Sequence, residues 1–94
     1  MALHVLFSRH ARDRMLEWRL DVRDVVTALR SCETVEEYED GARLVLGRSG
    51  ARPLHLVVRD GDDDSKNDRT LFVITVYEPD PLRWDPSFRR RIGA

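Results

Sequence analysis

His10 and Arg14 stand four residues apart, the spacing that puts two side chains on one face of a helix. Both follow Ser8, a residue suited to capping a helix start. His10 is then expected in a first turn, where the positive end of the helix dipole favours anions. A second histidine, His55, lies within Pro53-Leu54-His55-Leu56-Val57-Val58, and Thr75 and Tyr77 alternate in Ile74-Thr75-Val76-Tyr77. Such a set suits phosphodiester cleavage. One imidazole takes the proton of an attacking 2′-hydroxyl, another protonates the leaving oxygen, and a guanidinium stabilises the phosphorane between them. Histidine, with an ordinary pKa of about 6.5, can fill either role. The candidate catalytic residues are therefore His10, His55, Arg14 and Tyr77, with Arg43, Thr75 and Trp84 as candidate substrate contacts. Each histidine also has a plain structural reading: His10 as a capping or packing residue on the helix of Trp18, His55 as a core histidine hydrogen-bonded to Tyr77.

These residues need two helices and a sheet to bring them together. From Arg9, the residues Ala11, Met15 and Trp18 form an apolar stripe at helical spacing. A second helix is predicted from Asp21, its cap, with Asp24 three residues on as in a capping box and Val22, Val25, Val26 and Leu29 as its buried stripe; it should stop near Ser31-Cys32. Beyond that the period changes to two. Strands are predicted at Thr34–Tyr38 (polar, hence an edge), Arg43–Arg48, Leu54–Arg59 and Leu71–Tyr77, separated by turn signals at Asp40-Gly41 and Ser49-Gly50 and by the aspartate-rich stretch Asp60–Asp68. Asp85-Pro86 should open a short C-terminal helical turn, with Trp84 and Phe88 packing back on the body.

The expected fold is thus a single α+β domain over residues 1–94: two N-terminal helices, a four-stranded antiparallel sheet and the C-terminal turn. Alternation assigns Leu44, Leu46, Leu54, Leu56, Val58, Phe72, Ile74 and Val76 to the face under the helices. Arg43, Val45, His55, Val57, Thr75 and Tyr77 then occupy an open, half-polar face.

The whole-chain charge of −1 excludes a strongly basic nucleic-acid magnet. Its distribution is uneven. Acidic residues gather at Glu33–Asp40 and Asp60–Asp68, basic ones towards the two ends, and 15 of the 16 basic residues are arginine, whose planar fork suits phosphate. A lone cysteine, Cys32, fits a cytoplasmic location without disulfides. Met1–Phe7 is too short for a signal segment, and no apolar run approaches the roughly 20 residues of a membrane span. No glycine-rich phosphate loop and no histidine or cysteine spacing for a metal is present, so neither cofactor nor metal is expected.

The motifs Ser8-Arg9-His10-Ala11-Arg12-Asp13-Arg14-Met15, Pro53-Leu54-His55-Leu56-Val57-Val58, Ile74-Thr75-Val76-Tyr77 and the late Trp84 occur together and in order. In this the chain resembles a family of small bacterial domains of unknown function. Relatives usually show Arg-Gly after the first helix, where this chain has Trp18-Arg19. The resemblance extends to RelE-, ParE- and BrnT-like toxins. It implies a metal-independent endoribonuclease that cleaves mRNA, and a zinc-finger antitoxin partner of the YgiT/MqsA kind. The same order of elements also implies an alternative, a non-catalytic binding module or a toxin acting on a protein target. The near-neutral charge and the two acidic stretches suit a basic protein partner.

Overall fold

Ser8 and Asp21 start the two helices as their chemistry dictates. In the computed structural model, which describes residues 2–61 and 68–93, helix α1 spans Arg9–Glu17 and α2 spans Val22–Arg30. The Ser8 hydroxyl accepts from the Ala11 amide at 2.9 Å and donates to the Ile74 carbonyl at 2.7 Å, so one side chain both caps α1 and ties it to the sheet. Asp21 and Asp24 form a reciprocal capping box, at 2.8 and 3.1 Å. Asp24 also accepts from the Ser49 hydroxyl at 2.7 Å, and these bonds, the Asp21 amide first, hold its carboxyl below the usual range.

Helix α1 ends in a Schellman motif without its customary glycine. The Leu20 amide donates to the Met15 carbonyl at 2.8 Å, the Arg19 amide donates to that of Leu16 at 3.3 Å, and Arg19 takes the left-handed φ of 54°. The buried Leu20 side chain anchors the turn. A β-carbon in that region costs roughly 1–2 kcal/mol, part of which glycine gives back through the flexibility it adds to the unfolded chain. Arg19→Gly is therefore expected to stabilise the fold by about 0.5–1 kcal/mol, read as a higher urea midpoint at unchanged slope.

The sheet departs from expectation. It has five strands, not four, and is mixed rather than purely antiparallel. Its strands are β1 (Ala2–Phe7), β2 (Glu33–Glu37), β3 (Arg43–Ser49), β4 (Arg52–Asp60) and β5 (Asp68–Tyr77), in the spatial order β1-β5-β4-β3-β2. Strand β1 lies parallel to β5, from Ala2 opposite Asp68 to Phe7 opposite Val73, and all other pairs are antiparallel. The period of two is present in β1, with Leu3, Val5 and Phe7 packed on the core. The exposed Leu6 blurs it, and so the segment does not read as a strand.

A bulge sets which residues share a face. Val57 pairs with Thr75 but Val58 with Val73, leaving Ile74 as an extra residue in β5. The helix-covered face of β5 therefore carries Leu71, Val73 and Val76, and Phe72 is exposed, contrary to the alternation expected along an unbroken strand. On β3 the assignment is reversed throughout. Val45 pairs with the core residue Leu56, while Leu44 and Leu46 pair with Val57 and His55 on the other side. Gly47 also faces the helices: a β-carbon there would overlap the Ala28 carbonyl oxygen, so α2 rests on the β3 backbone itself.

The second face is not open. Residues 84–91 lie across it, and the expected C-terminal helical turn is replaced by a tight hairpin closed by an antiparallel Trp84–Arg91 bridge. Asp85 does stabilise a turn, its carboxylate accepting from the Ser87 amide at 3.1 Å and its carbonyl from the Phe88 amide at 2.8 Å. Phe88 then takes a φ of 60°, which stops any helix from continuing. Ion pairs of Arg89 with Glu33 (2.6 Å) and Arg91 with Glu36 (3.2 Å) fasten the hairpin to β2, and Leu44, Leu46, His55 and Trp84 are all buried. Among the described residues no helix is long and apolar enough to cross a membrane. The aspartates at 62–64 lie outside the described residues.

Candidate functional site

Strand β1 stops at Phe7 opposite Val73, so the last four residues of β5 have no strand beside them on that side. Helix α1 packs against β5. Its residues Ala11 and Met15 turn into the core, while His10, Arg14 and Trp18, at i, i+4 and i+8, turn to a groove. Thr75 and Tyr77 line the same groove from β5, and residues 78–81, 83, 84 and 91 form its other wall. It measures about 770 Å³.

Five of the seven candidate residues thus come together: His10, Arg14, Thr75, Tyr77 and Trp84. Arg43 does not. It pairs with Val58 on the helix-covered side and forms a two-pronged ion pair with Asp60 at 2.9 and 3.2 Å. That pairing, Arg43 before Arg69, holds the Asp60 carboxyl low. Its removal from the expected face follows from the β3 register.

His55 lies next to the groove but not in it. The ring is fully buried, with Nε2 at 2.7 Å from the Phe88 carbonyl and Nδ1 at 3.3 Å from the Tyr77 hydroxyl. It meets Trp84 edge-on at 4.4 Å between centroids and Tyr77 at 5.5 Å. The structural reading of this residue, a core histidine bonded to Tyr77, matches that geometry. A pair of imidazoles converging on one substrate does not, because both His55 nitrogens are engaged by the protein. His55 instead supports two groove residues from behind.

Burial disfavours the imidazolium and pushes the His55 pKa below its ordinary 6.5; the bond to the Phe88 carbonyl opposes this, and Arg91 reinforces it. The unfolded chain therefore takes up this proton first on acidification. The contribution is complete above about pH 6.5 and is lost as pH falls towards the folded-state pKa. We expect the urea midpoint to hold steady from pH 8 to 7 and to decline between about pH 6.5 and 5. That is above the window in which the lowered carboxyls of Asp24, Asp60 and Asp85 act. A flat profile down to pH 5 would contradict the buried, neutral ring.

Three arginines and two carboxylates line the groove, and each arginine has an acidic partner: Glu17 for Arg14, Asp80 for Arg83 and Glu36 for Arg91. Arg14 donates through Nε to His10 Nε2 at 3.5 Å and bridges Glu17 at 2.8 Å, so it steadies the imidazole beside it. Arg91 lies over the Trp84 ring at 4.7 Å. Arg83, 83% exposed and 3.9 Å from Asp80, is held only loosely. Of the two acidic lining residues, Glu78 is neutralised by Arg52 at 2.9 Å, and Arg52 also donates to the Trp18 carbonyl at 2.7 Å, holding the end of α1 against this wall.

Trp18, Arg83 and Arg91 are among the groove residues that escaped the sequence reading. Trp18 fitted the apolar stripe of Ala11 and Met15, but its spacing from His10 and Arg14 also put it on their face. Arg83 and Arg91 belong to the basic cluster near the C-terminus, whose position depends on a hairpin with no periodic signature. Cys32 is half-buried and does not line the groove, its thiol is pushed up by burial, and the described residues contain no group of three or more His, Cys, Asp or Glu placed to hold a metal.

Compared with known protein families, residues 7–78 match the family described as a domain of unknown function, DUF4258. No curated protein matches the chain.

Proposed function

We propose, for a chain that belongs to the DUF4258 family of domains of unknown function, that the groove between α1 and the C-terminal hairpin binds single-stranded RNA and cleaves it. The observation that carries this reading is the meeting of His10 and Arg14 with Arg83, Arg91 and the exposed Trp18 in one solvent-open groove. Arginines attract and orient phosphate. An exposed aromatic face such as that of Trp18 stacks on a base, typically for about 1–3 kcal/mol. His10 is the imidazole in contact with solvent there, so it serves both steps. It takes the 2′-hydroxyl proton as the O2′–P bond forms, then returns it to O5′ as the P–O5′ bond breaks. The products are a 2′,3′-cyclic phosphate and a 5′-hydroxyl, formed without a metal. Arg14, beside the ring, stabilises the charge that builds on phosphorus.

The motif resemblance adds the setting, a toxin half of a toxin–antitoxin module held in check by a zinc-finger antitoxin. A protein target is the second reading. Leu16 on α1 is 79% exposed and Leu82 in the groove-side segment 84% exposed, and such leucines favour an apolar protein contact. Incubation of the purified chain with end-labelled RNA in EDTA separates the two readings. Cleavage leaving cyclic-phosphate ends is the expected result. Neither binding nor cleavage of RNA, with growth arrest on expression in cells, would place the target among proteins.

A further inference from the structure

We propose that Tyr77 presents a hydrogen-bond acceptor to the groove, its own proton being held by His55, so that the groove selects a ligand carrying a hydroxyl donor at that point. On the RNA reading above, on which the identity of the ligand rests, this donor is a ribose 2′-hydroxyl.

The direction of each hydrogen bond follows from a carbonyl. The Phe88 oxygen can only accept, so the His55 nitrogen 2.7 Å away, Nε2, carries a proton. The ring is fully buried among Trp84, Tyr77 and the sheet, and no carboxylate bonds it, so it holds one proton and not two. Nδ1 is then a bare lone pair. The Tyr77 hydroxyl at 3.3 Å must donate to it. The phenol oxygen is left with its own lone pairs, and Tyr77 is a groove-lining residue.

The arrangement is built rather than incidental. Phe88 is held in the left-handed region by the Asp85 turn, an uncommon conformation for a large side chain, and its carbonyl meets the imidazole. The edge-on contact of Trp84 at 4.4 Å restrains the ring from turning over. Turning it over would put ring carbons in place of both nitrogens, so that neither the Phe88 carbonyl nor the Tyr77 hydroxyl would keep its partner. His55 is accordingly a positioning residue. It sets the polarity of a group that a ligand can touch, without touching the ligand.

Two measurements on the full chain test this. Long-range proton–nitrogen correlation spectra of the histidine side chains at neutral pH should show His55 protonated at Nε2 and bare at Nδ1. A proton at Nδ1 overturns the proposal whatever the chain binds. Fluorescence anisotropy with one labelled oligonucleotide made as RNA and as its 2′-deoxy counterpart should show RNA bound about tenfold more tightly, a preference that Tyr77→Phe reduces to within about twofold. Equal affinity for the two in the unaltered chain, or a preference that survives Tyr77→Phe, overturns the selection of a hydroxyl. Should neither oligonucleotide bind, the RNA reading fails by itself, and the nitrogen spectra still decide whether Tyr77 is an acceptor.

Discussion

Replacing His10 by alanine is expected to lower the rate of RNA cleavage by about 10²–10⁴-fold, the usual contribution of a positioned proton-transfer group, while stability stays within about 0.5 kcal/mol of the original. The two halves of this expectation have separate physical grounds. His10 is exposed on α1 and among the described residues its side chain bonds only to Arg14, at the long distance of 3.5 Å, whereas the core contacts of that helix are made by Ala11 and Met15. Its removal should therefore leave packing and capping intact. His55→Ala should behave in the opposite way. It empties a buried site and orphans the Phe88 carbonyl, so any activity it loses comes together with stability. Initial rates on labelled RNA, paired with urea unfolding of both variants, separate the roles. Activity of His10→Ala within a few-fold of the unaltered chain would remove His10 from the mechanism.

Gly47→Ala carries the largest expected structural effect. A β-carbon at this point would overlap the Ala28 carbonyl oxygen and lie 2.7 Å from the carbonyl carbon. The obstacle is helix backbone, which cannot swing aside as a side chain can. To admit one methyl group α2 must lift from β3, and α2 is held there by the Asp24–Ser49 hydrogen bond and by the burial of Val25, Ala28 and Leu29. We expect a loss of roughly 3 kcal/mol, at the upper end of overpacking costs. That is a large share of the roughly 5–15 kcal/mol that holds a typical domain together. The measurement is the urea midpoint of Gly47→Ala against the original, and a shift worth less than about 1 kcal/mol would show that helix and strand do not approach so closely.

How far such features can be read from sequence depends on whether their causes are local. Ser8, Asp21 and Asp24 act within one turn of chain, and both helix starts follow from them. The three later strands follow from short alternating runs, and the spacing of His10 and Arg14 on one helix, with Thr75 and Tyr77 on one strand, places four groove residues correctly. What escaped is non-local. The bulge at Ile74 exists because β4 and β5 must fit each other, and it changes which residues of β5 meet the helices. The reversal on β3 that takes Arg43 from the site is a matter of pairing register. The cover over His55 comes from a hairpin whose bonds run between turn residues and carbonyls, with no periodicity to reveal it. That cover is what turned an expected catalytic pair into one exposed imidazole and one buried support.

Strand β1 is made well before its partner β5; Ser8 waits for the carbonyl of Ile74, 66 residues on. Closing so wide a loop is entropically slow, and parallel pairing of distant strands retards folding further. During synthesis α1 can form early, but the wall opposite His10 arrives only with Tyr77 and Trp84. The groove is thus assembled only after β5 and the hairpin have been made, and a nascent chain that lacks them carries His10 without a site around it. For a molecule proposed to cut RNA, this order confines activity to chains in which β5 and the hairpin have already been made.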